Sequence, residues 1–303
     1  MPDDPGDGAI LLTGWTSNTA AALLPRLRER FPGRCIIGAS RSHPSRRVVP
    51  DCIKEIDLSD AAAVDSLFAR HRISLVLHIA NIRFTPQVLP AADRAGVPQT
   101  ICVHTTGMYS RFREYAAEYR TIEEQIQHNP PQHTALTILR PTMIYGITAE
   151  TRDHNMHKLA LHLSRARLFP VFGSGQGKMQ PVYVDDVAGA ILACIGNPQV
   201  AGKAYEISGG SVVTYREVLY QVCAEIGRQP VFVPVPVPLA VPLVGLYERM
   251  AKNPRVTVEQ VQRLQEDKTF SHEAAAADFG YAPRSFAEGI REEIQQMRHL
   301  SLL

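Results

Sequence analysis

Short apolar runs alternate with longer amphipathic stretches through the first half of the chain. The runs predicted as strands are AILLTG, CIIGAS, CIKEID, SLVLHIA, TICVHTT and TALTILRPTMIYG. Apolar residues at the three- and four-residue spacing of helices recur between them, in residues 18–31, 61–71, 85–96 and 114–128. Strands that are separated by helices pair in parallel, because antiparallel neighbours need only a short turn. The pattern therefore predicts an α/β fold with a doubly wound parallel sheet.

The regular alternation fades after Gly146. Helical spacing returns at residues 154–167, 215–227 and 257–267, and residues 273–297 are typical of two short helices around a turn at 280–283. We expect residues 1–150 to form the sheet domain and elements from about 175–205 to return to it. The remainder of residues 151–303 is expected to form a smaller, helix-rich cap over the strand ends.

The longest apolar stretch runs from Val231 to Tyr247 and contains four prolines. A membrane-spanning helix needs about 20 apolar residues, so this stretch does not predict a span. We interpret it as a loop that packs on the core. The alternatives are an apolar wall of a substrate pocket and a contact with a membrane surface.

Composition and charge narrow the class of partner. The 303 residues are 45% hydrophobic and 20% charged, and the net charge of +2 is too small to attract nucleic acid. Five widely spaced cysteines indicate reduced thiols. The start, MPDDPGDGAI, lacks the basic and apolar regions of a secretory signal. We therefore expect a cytoplasmic protein that binds a small molecule; a homodimer is left open.

The first strand enters the first helix through the turn TGWTSNTA. Backbone N–H groups at a helix N-terminus favour a pyrophosphate, and three glycines normally allow the tight turn, the close ligand approach and the helix packing. This chain has Gly14, Ser17 and Ala20 at those positions. Thr16, Ser17 and Asn18 place polar groups where phosphate oxygens would lie. The turn predicts a dinucleotide site in a Rossmann fold.

The end of the second strand, GASRS, bears on the choice of dinucleotide. An acidic residue there would hold the ribose 2′-hydroxyl of NAD. Ser40 and Arg41 instead offer a hydroxyl and a guanidinium, which suit the 2′-phosphate of NADP. Arg46 and Arg47 either add to this charge or lie on the solvated surface. The sequence favours NADP(H), with NAD(H) as the alternative.

Further segments follow the turn in a characteristic order. They are LLTGWTSNTA, IDLSD, HIAN, HTTGMYS, LRPTMIYG, QPVYVDDVAGAI, AYEISGG and DFGYAPRSFAEGI. With these segments the chain resembles, nearly end to end, the NAD(P)-dependent epimerase/dehydratase family of extended and atypical short-chain dehydrogenases/reductases. The resemblance implies an NAD(P)-binding domain in residues 1–150 and a substrate-binding cap in most of residues 151–303.

The resemblance also implies cofactor contacts at three strand ends. They are Asp57 and Leu58 at the adenine, Ala80 and Asn81 at the pyrophosphate and nicotinamide ribose, and Pro141 and Met143 at the nicotinamide. Alternatively, Asp57 is a helix N-terminal charge and Pro141 an ordinary strand end.

The catalytic residues of the family match only in part. Members polarise a substrate carbonyl with Ser or Thr, transfer a proton through Tyr, and use a Lys four residues later to lower the pKa of that Tyr. Thr105 matches the first position, and YAAEYRTIEEQI places Tyr115, Tyr119 and Glu123 in the register Tyr-x-x-x-Lys-x-x-x-Glu. The lysine is therefore replaced by Tyr119, which carries no positive charge.

Loss of the lysine still allows Tyr115 to act as a neutral proton donor, which suits reduction better than oxidation. Thr105, Tyr115 and Tyr119 are the candidate catalytic residues. The alternative is that the two tyrosines are an aromatic pair, four residues apart on one helix, that packs on the sheet.

Candidate substrate contacts are also mixed. Asn155 falls where the family places an asparagine that faces a substrate diphosphate, although it is equally well placed to begin a helix. Met179, beside Lys178, stands where sugar-nucleotide enzymes have an arginine. The substrate is then a nucleotide sugar or a smaller, more apolar ketone. His154 and His157 lack a further ligand at metal-binding spacing, so we expect no metal.

Two functions remain. One is an NADP(H)-dependent oxidoreductase or epimerase/dehydratase-like enzyme that transfers a hydride at a carbonyl or carbinol carbon. The other is a non-catalytic dinucleotide-binding protein, acting as a redox sensor or an assembly subunit, which the replaced lysine and the loss of two glycines favour.

Overall fold

The computed structural model describes residues 7–42, 48–148, 155–254 and 256–303. Within these ranges the strands are β1 (Ala9–Thr13), β2 (Ile36–Ser40), β3 (Cys52–Glu55), β4 (Ile73–His78), β5 (Gln99–Val103), β6 (Ala135–Pro141), β7 (Ile144–Tyr145), β8 (Leu168–Phe172), β9 (Lys178–Met179), β10 (Val182–Tyr183), β11 (Ala204–Ile207), β12 (Val213–Thr214) and β13 (Val231–Val235). Arg46, Arg47 and His154 lie outside the described residues.

The helices in the same ranges include long ones on both sides of the sheet and shorter ones toward the C-terminus. They are α1 (Asn18–Arg30), α2 (Ala61–Arg70), α3 (Thr85–Arg94), α4 (Ala116–His128), α5 (Asn155–Arg165), α6 (Val184–Cys194), α7 (Tyr215–Ile226), α8 (Val237–Met250), α9 (Val258–Arg263), α10 (Glu273–Phe279) and α11 (Phe286–His299). Short 3₁₀ turns cover Ile82–Phe84, Thr106–Tyr109 and Pro198–Val200.

Seven parallel strands form the main sheet, in the order β11-β6-β5-β4-β1-β2-β3. In β1, Leu12 lies opposite Gly38 on one side and Leu77 on the other. The predicted doubly wound parallel sheet is confirmed. Because the strand order reverses between β1 and β4, a crevice forms outside their carboxyl ends, which is where open α/β sheets bind ligands.

Both faces of the sheet are covered by helices. Leu12 points to the face that packs with Leu23 and Leu27 of α1 and with Ile191 of α6. Leu11, the next residue toward the N-terminus, points to the opposite face, among side chains of α2 and α3. Alternate residues of β1 therefore enter two separate hydrophobic cores, as a strand buried on both faces requires.

The second half of the chain contributes to the main sheet and also forms smaller sheets. β11 pairs with β6, and Arg26 of α1 donates to the Asp185 carbonyl at the start of α6. The pairs β7/β10, β8/β13 and β9/β12 are separate two-stranded sheets. All five cysteines are free, and Cys102, Cys194 and Cys223 are buried.

The interpretation of the proline-rich stretch as a loop is wrong. Residues 231–235 form β13, and residues 237–250 form α8. Pro236 caps α8 and Pro238 lies in its first turn, where the backbone N–H that proline lacks has no partner within a helix. Leu239, Leu243, Leu246 and Met250 are exposed along one face of α8. None of the helices in the described ranges is both long and apolar enough to cross a membrane.

Two predicted helices differ in length from those observed. The helix expected over residues 257–267 ends at Arg263, because the following segment turns so that Lys268 can bond Lys178 of β9. The final helix, α11, is not short: it spans 14 residues and begins with a capping box formed by Ser285 and Glu288.

Candidate functional site

The turn between β1 and α1 lies directly against the end of β4. Gly14 has a φ of +67°, and a Cβ atom at this position would lie only 2.7 Å from the backbone nitrogen of Ala80. A glycine is therefore required both for the backbone conformation and for the close approach. The remaining two positions of the glycine pattern are filled by Ser17, which caps α1, and by Ala20, which is fully buried in the core.

Trp15 is directed into the core, where its ring packs close to Gly38 of β2. A Cβ atom on Gly38 would lie 2.8 Å from Cδ1 of the indole. Trp15 is not among the residues that line the crevice at the strand ends. The Trp15 side chain therefore does not block the crevice.

The polar residues of the turn make contacts within the protein. Ser17 accepts a hydrogen bond from the Ala20 backbone N–H at 3.2 Å. The amide of Asn18 donates to the Gly146 carbonyl at 2.5 Å, so it ties the start of α1 to the loop after β7. Thr16 lines the crevice. Of the three side chains predicted at the phosphates, Thr16 is the one that borders the open space.

A cleft of about 180 Å³ lies at the ends of β1 to β4. Residues that line it include Gly14, Thr16, Ser40, Arg41, Ser42, Leu58, Ala80 and Phe84. Five predicted cofactor residues besides Thr16 are thus brought together from four strands. Apolar side chains from the ends of β3 and β4 face hydroxyl and guanidinium groups from β2. The open turn and this mixed lining fit the adenosine end of a dinucleotide.

Asp57 makes a local turn next to this cleft. Its Oδ1 accepts hydrogen bonds from the Ser59 backbone N–H and hydroxyl, at 3.0 and 2.8 Å. These bonds, with a smaller contribution from Arg41, lower the pKa of Asp57. The residue that caps α2 is Asp60, three residues after Asp57.

Substitution of Gly14 by alanine is expected to lower the free energy of unfolding by about 2–3 kcal/mol and to weaken dinucleotide binding at least tenfold. The added Cβ meets backbone atoms of Ala80, which cannot rotate away. Gly96→Ala is the matched control, because Gly96 has the same φ of +67° but open space, with no atom within 4 Å, where the new Cβ would lie. Urea unfolding and fluorescence titration measure stability and dinucleotide binding in both variants. Equal losses in Gly14→Ala and Gly96→Ala would contradict the close approach of Gly14 to Ala80.

Thr105 follows β5 and begins a tight 3₁₀ turn. Its hydroxyl oxygen accepts a hydrogen bond from the Gly107 backbone N–H at 3.0 Å. A Cβ atom on Gly107 would lie 3.1 Å from this oxygen and would overlap Nη1 of Arg113. The Thr105 hydroxyl and the Arg113 guanidinium therefore border the same small space.

Tyr115 immediately precedes α4 and is exposed. The guanidinium of Arg83 lies 3.9 Å from the centre of its ring. Glu118 fixes Arg83 there through a two-pronged ion pair, with Nε···Oε1 and Nη2···Oε2 distances of 2.9 and 2.7 Å. A positive charge is therefore held against Tyr115 by a residue from a different loop.

Tyr119, at the position of the family's lysine, is buried with Ile82 and Met108. Its hydroxyl accepts a hydrogen bond from the side-chain amide of Asn81 at 3.3 Å. The predicted cofactor residue Asn81 and the candidate catalytic residue Tyr119 thus meet at the end of β4. This burial also agrees with the alternative that Tyr119 packs on the sheet.

Glu123 lies below the site in a buried ionic network. His104 donates to its Oε1 at 2.8 Å, and Arg140 donates to both of its carboxylate oxygens. Arg140 also pairs with Glu206 of β11 at 2.9 Å. Burial acts to raise the pKa of Glu123, but the hydrogen bonds from His104 and Arg140 outweigh it and lower the pKa. The network connects α4 to the ends of β5, β6 and β11.

Pro141 and Met143 lie at the end of β6, as the family pattern places them. The Pro141 carbonyl accepts a hydrogen bond from the Thr106 hydroxyl at 3.3 Å, which joins it to the turn after Thr105. Met143 is partly buried against the core of the smaller sheets. Both residues therefore lie next to elements of the candidate site.

The predicted substrate residues are less closely associated with the site. Asn155 begins α5 as an exposed residue, at the edge of the described ranges. Lys178 is exposed on β9, whose backbone bonds Asp267 and Lys268. Met179 is buried in the core, so its side chain does not replace the family's arginine in the cleft.

Glu293 of α11 is buried next to the loop after β7. Its Oε2 accepts a hydrogen bond from the Gly146 backbone N–H at 3.2 Å. Burial raises the pKa of Glu293 to about 7, although the bond from Gly146 acts in the opposite direction. The folded state therefore binds this proton more tightly than the unfolded state. Because Glu293 loses its proton between pH 6 and 8, the free energy of unfolding is expected to fall by about 1.4 kcal/mol over that range.

The variant Glu293→Gln should lack this dependence, because glutamine can still accept from Gly146 but carries no proton that titrates. Urea unfolding at several pH values measures the difference between the two proteins. Glu114→Gln, at an exposed position, is the control. Parallel curves for the wild type and Glu293→Gln would contradict the prediction.

The family model of NAD dependent epimerase/dehydratase proteins matches residues 80–208, from the end of β4 to the end of β11. The resemblance to this family is confirmed. The UDP-glucose 4-epimerase of Thermotoga maritima has a similar structure, with a TM-score of 0.73 and 17% identity over 97% of this chain and 99% of that one. The UDP-glucose 4-epimerase of Thermus thermophilus, solved with NAD, gives 0.71 and 19% over 96% and 99%.

Two proteins to which this chain is similar in sequence have different roles. A 2-alkyl-3-oxoalkanoate reductase of Stenotrophomonas maltophilia is 26% identical over 93% of this chain and 97% of its own length. The mitochondrial NADH dehydrogenase 1 alpha subcomplex subunit 9 of Arabidopsis thaliana is 34% identical over 34% of this chain and 25% of its own. The first alignment spans nearly both chains, whereas the second covers one part.

Sequence patterns did not identify three residues at the site. Arg83 and Arg113 lie in loops outside the family motifs, and Glu266 lies in a stretch predicted as helix. Glu266 accepts hydrogen bonds from the Ser110 hydroxyl at 2.7 Å and from the Arg111 backbone N–H at 2.8 Å. No local signal marks these residues, because their positions depend on how separate loops meet.

Proposed function

We propose that the chain is an NADP(H)-dependent oxidoreductase that reduces a carbonyl group of a small molecule. The observation that supports it best is the set of contacts around Tyr119. The guanidinium groups of Arg83 and Arg113 both lie over its ring, Arg83 also lies over the ring of Tyr115, and Arg113 lies beside the Thr105 hydroxyl. Parallel-sheet proteins use this edge of the sheet for ligands. The reductase from Stenotrophomonas maltophilia, which aligns over nearly the whole chain, agrees with an oxo substrate.

Thr105 is the residue that holds the substrate carbonyl in this proposal. Because its oxygen already accepts from the Gly107 N–H, the hydroxyl proton remains to donate to the carbonyl oxygen. A nicotinamide coenzyme held in the crevice would supply the hydride that reduces the carbonyl carbon, and would itself be oxidised. The carbonyl electron pair passes to the oxygen, which Thr105 stabilises by its hydrogen bond.

Tyr115 completes the reduction by donating its phenolic proton to that oxygen, which yields the alcohol. The phenolate left on Tyr115 lies against the guanidinium of Arg83, 3.9 Å from the ring centre. Arg83 is itself paired with Glu118. In this proposal the cationic group beside Tyr115 therefore comes from the loop after β4 and not from position 119.

Preference for NADP(H) rests on the end of β2. Ser40, Arg41 and Ser42 line the cleft there, and no acidic residue is among its lining residues within the described part of the chain. The guanidinium of Arg41 would pair with a 2′-phosphate, which NAD lacks. NAD(H) remains the alternative. We also retain the expectations of a cytoplasmic location and a small-molecule substrate.

A second candidate function is a dinucleotide-binding subunit without catalysis. The burial of Tyr119 with Ile82 and Met108 supports it, since this residue packs at the lysine position. So does the partial match to subunits of NADH dehydrogenase complexes.

One experiment separates these functions. The purified full chain is titrated with NADPH and with NADH by fluorescence, and oxidation of the bound coenzyme is then followed with a panel of oxo compounds. We expect NADPH to bind at least tenfold more tightly than NADH and to be oxidised by some members of the panel. Binding without oxidation would favour the subunit, and no binding of either coenzyme would overturn both proposals.

A further inference from the structure

Positive charge gathers on the open side of Thr105. A Cβ atom added to Gly107 would lie 3.1 Å from the Thr105 hydroxyl oxygen and would overlap Nη1 of Arg113. The Arg113 guanidinium forms no salt bridge or hydrogen bond within the ranges that the structure describes. A guanidinium without a carboxylate partner therefore stands beside the hydroxyl that holds the carbonyl.

Two further cations approach from the segment that follows α8. Arg263 is partly buried, and its pKa is lowered by burial and then by the charge of Arg113. Its Nε is buried without a hydrogen-bond partner among the described residues. Lys268 donates to the Arg263 carbonyl at 2.7 Å. Burial, followed by the charge of Arg263, lowers the pKa of Lys268 to about 8.

Carboxylates near these cations only partly offset their charge. Glu266 already accepts from Ser110 and from the Arg111 N–H. Glu259 lies 3.5 Å from Arg263 on the solvent-facing helix α9. Three cations that repel one another and lose water are unfavourable in the empty protein. A bound anion would relieve this repulsion.

Aromatic side chains are exposed on the same loop as Arg113. On the loop after β5, Tyr109, Phe112 and Tyr115 expose 44%, 40% and 41% of their surface. The ring of Tyr109 lies 5.5 Å from that of Phe270, which follows Lys268 in the chain. Exposed aromatic residues clustered at a cleft indicate an apolar ligand surface.

We propose that the substrate is an amphiphilic oxo acid, whose carboxylate binds Arg113, Arg263 and Lys268 and whose apolar body lies on the aromatic residues of the loop after β5. The assignment of the carbonyl to Thr105 rests on the proposed function; the anion site does not. A nucleotide sugar would instead need a diphosphate site near Asn155 and position 179, where the structure has an exposed amide and a buried methionine.

The test compares 2-oxooctanoate and 3-oxooctanoate with their methyl esters, which keep the carbonyl and the alkyl chain but lack the charge. With saturating NADPH, we expect kcat/KM to be at least tenfold higher for one of the acids than for its ester. Arg113→Gln is expected to remove this preference, because it should raise KM for the acid at least tenfold more than KM for the ester. Arg113→Lys should retain part of the preference for the acid. Lysine keeps the positive charge but lacks the paired N–H donors with which a guanidinium binds both oxygens of a carboxylate.

Arg165→Gln, which removes an exposed arginine at the end of α5, is the control for net charge. Equal rates for acids and esters in the wild type, or an equal fall for both in Arg113→Gln, would overturn the proposal. If no compound is reduced, the proposed function fails, and calorimetry of octanoate against methyl octanoate then decides on the anion site alone. Octanoate binding that is lost in Arg113→Gln supports the site, and absence of octanoate binding overturns it.

Discussion

Replacement of Glu123 by leucine is expected to lower the free energy of unfolding by about 3–5 kcal/mol. The carboxylate is almost fully buried and is the shared partner of His104 and Arg140. Its removal leaves the Arg140 guanidinium in the interior with Glu206 as its remaining ionic partner among the described residues. An uncompensated buried charge is among the few single changes that reach this magnitude.

Glu124→Leu is the matched control, because Glu124 is the next residue on α4 and is exposed. Urea unfolding should detect a change of no more than about 0.5 kcal/mol in that variant. The effect of Glu123→Leu should also depend on pH. Because the pKa of Glu123 is lowered, its contribution is fully present above the ordinary carboxyl pKa and is lost as the pH falls through the folded-state value. A small effect at neutral pH would contradict the network's role.

Tyr115→Phe is expected to lower kcat by about 10²–10⁴-fold, the usual contribution of a positioned proton donor. The phenyl ring keeps its packing against Arg83, so the variant removes only the hydroxyl. Coenzyme binding and KM should change little, since Tyr115 lies away from the cleft that Gly14 and Arg41 line. The measurement is single-turnover oxidation of NADPH with the best substrate from the panel.

The control for this variant is Tyr220→Phe, which removes an exposed phenol from α7, where its hydroxyl bonds Arg216. That variant should retain full activity. A wild-type rate in Tyr115→Phe would show that the Tyr115 phenol does not donate the proton. The Thr105 hydrogen bond and water would then have to account for the reaction.

The sequence predicts best those features that neighbouring residues determine. Apolar runs, helical spacing and the turn at Gly14 are local patterns, and they correctly indicate the parallel sheet and the crevice at its edge. The start of α8 was missed, since prolines were interpreted as helix breakers although Pro236 and Pro238 lie where a helix tolerates them. Helical spacing likewise overextended α9, because the contacts of Lys268 with β9 are made with a distant part of the chain.

The candidate site was predictable only where the resemblance supplied positions. Asn81 and Tyr119 do meet, but the contact of Arg83 with the Tyr115 ring is not visible in any single motif. Arg83 and Tyr115 are far apart in the sequence and come together only when β4 and α4 are packed. Asn18 was expected at a phosphate, yet its amide bonds the Gly146 carbonyl, because that acceptor is brought next to α1 by the fold.

Glu266 accepts two hydrogen bonds from the loop that carries Arg113 and Tyr115, although it belongs to the segment after α9. Any outward movement of that segment must therefore break both bonds or pull the loop with it. In the second case Tyr115, the proposed proton donor, would move away from the carbonyl oxygen together with that segment. Under the proposed function, such coupling would confine proton transfer to the arrangement in which both hydrogen bonds of Glu266 are intact.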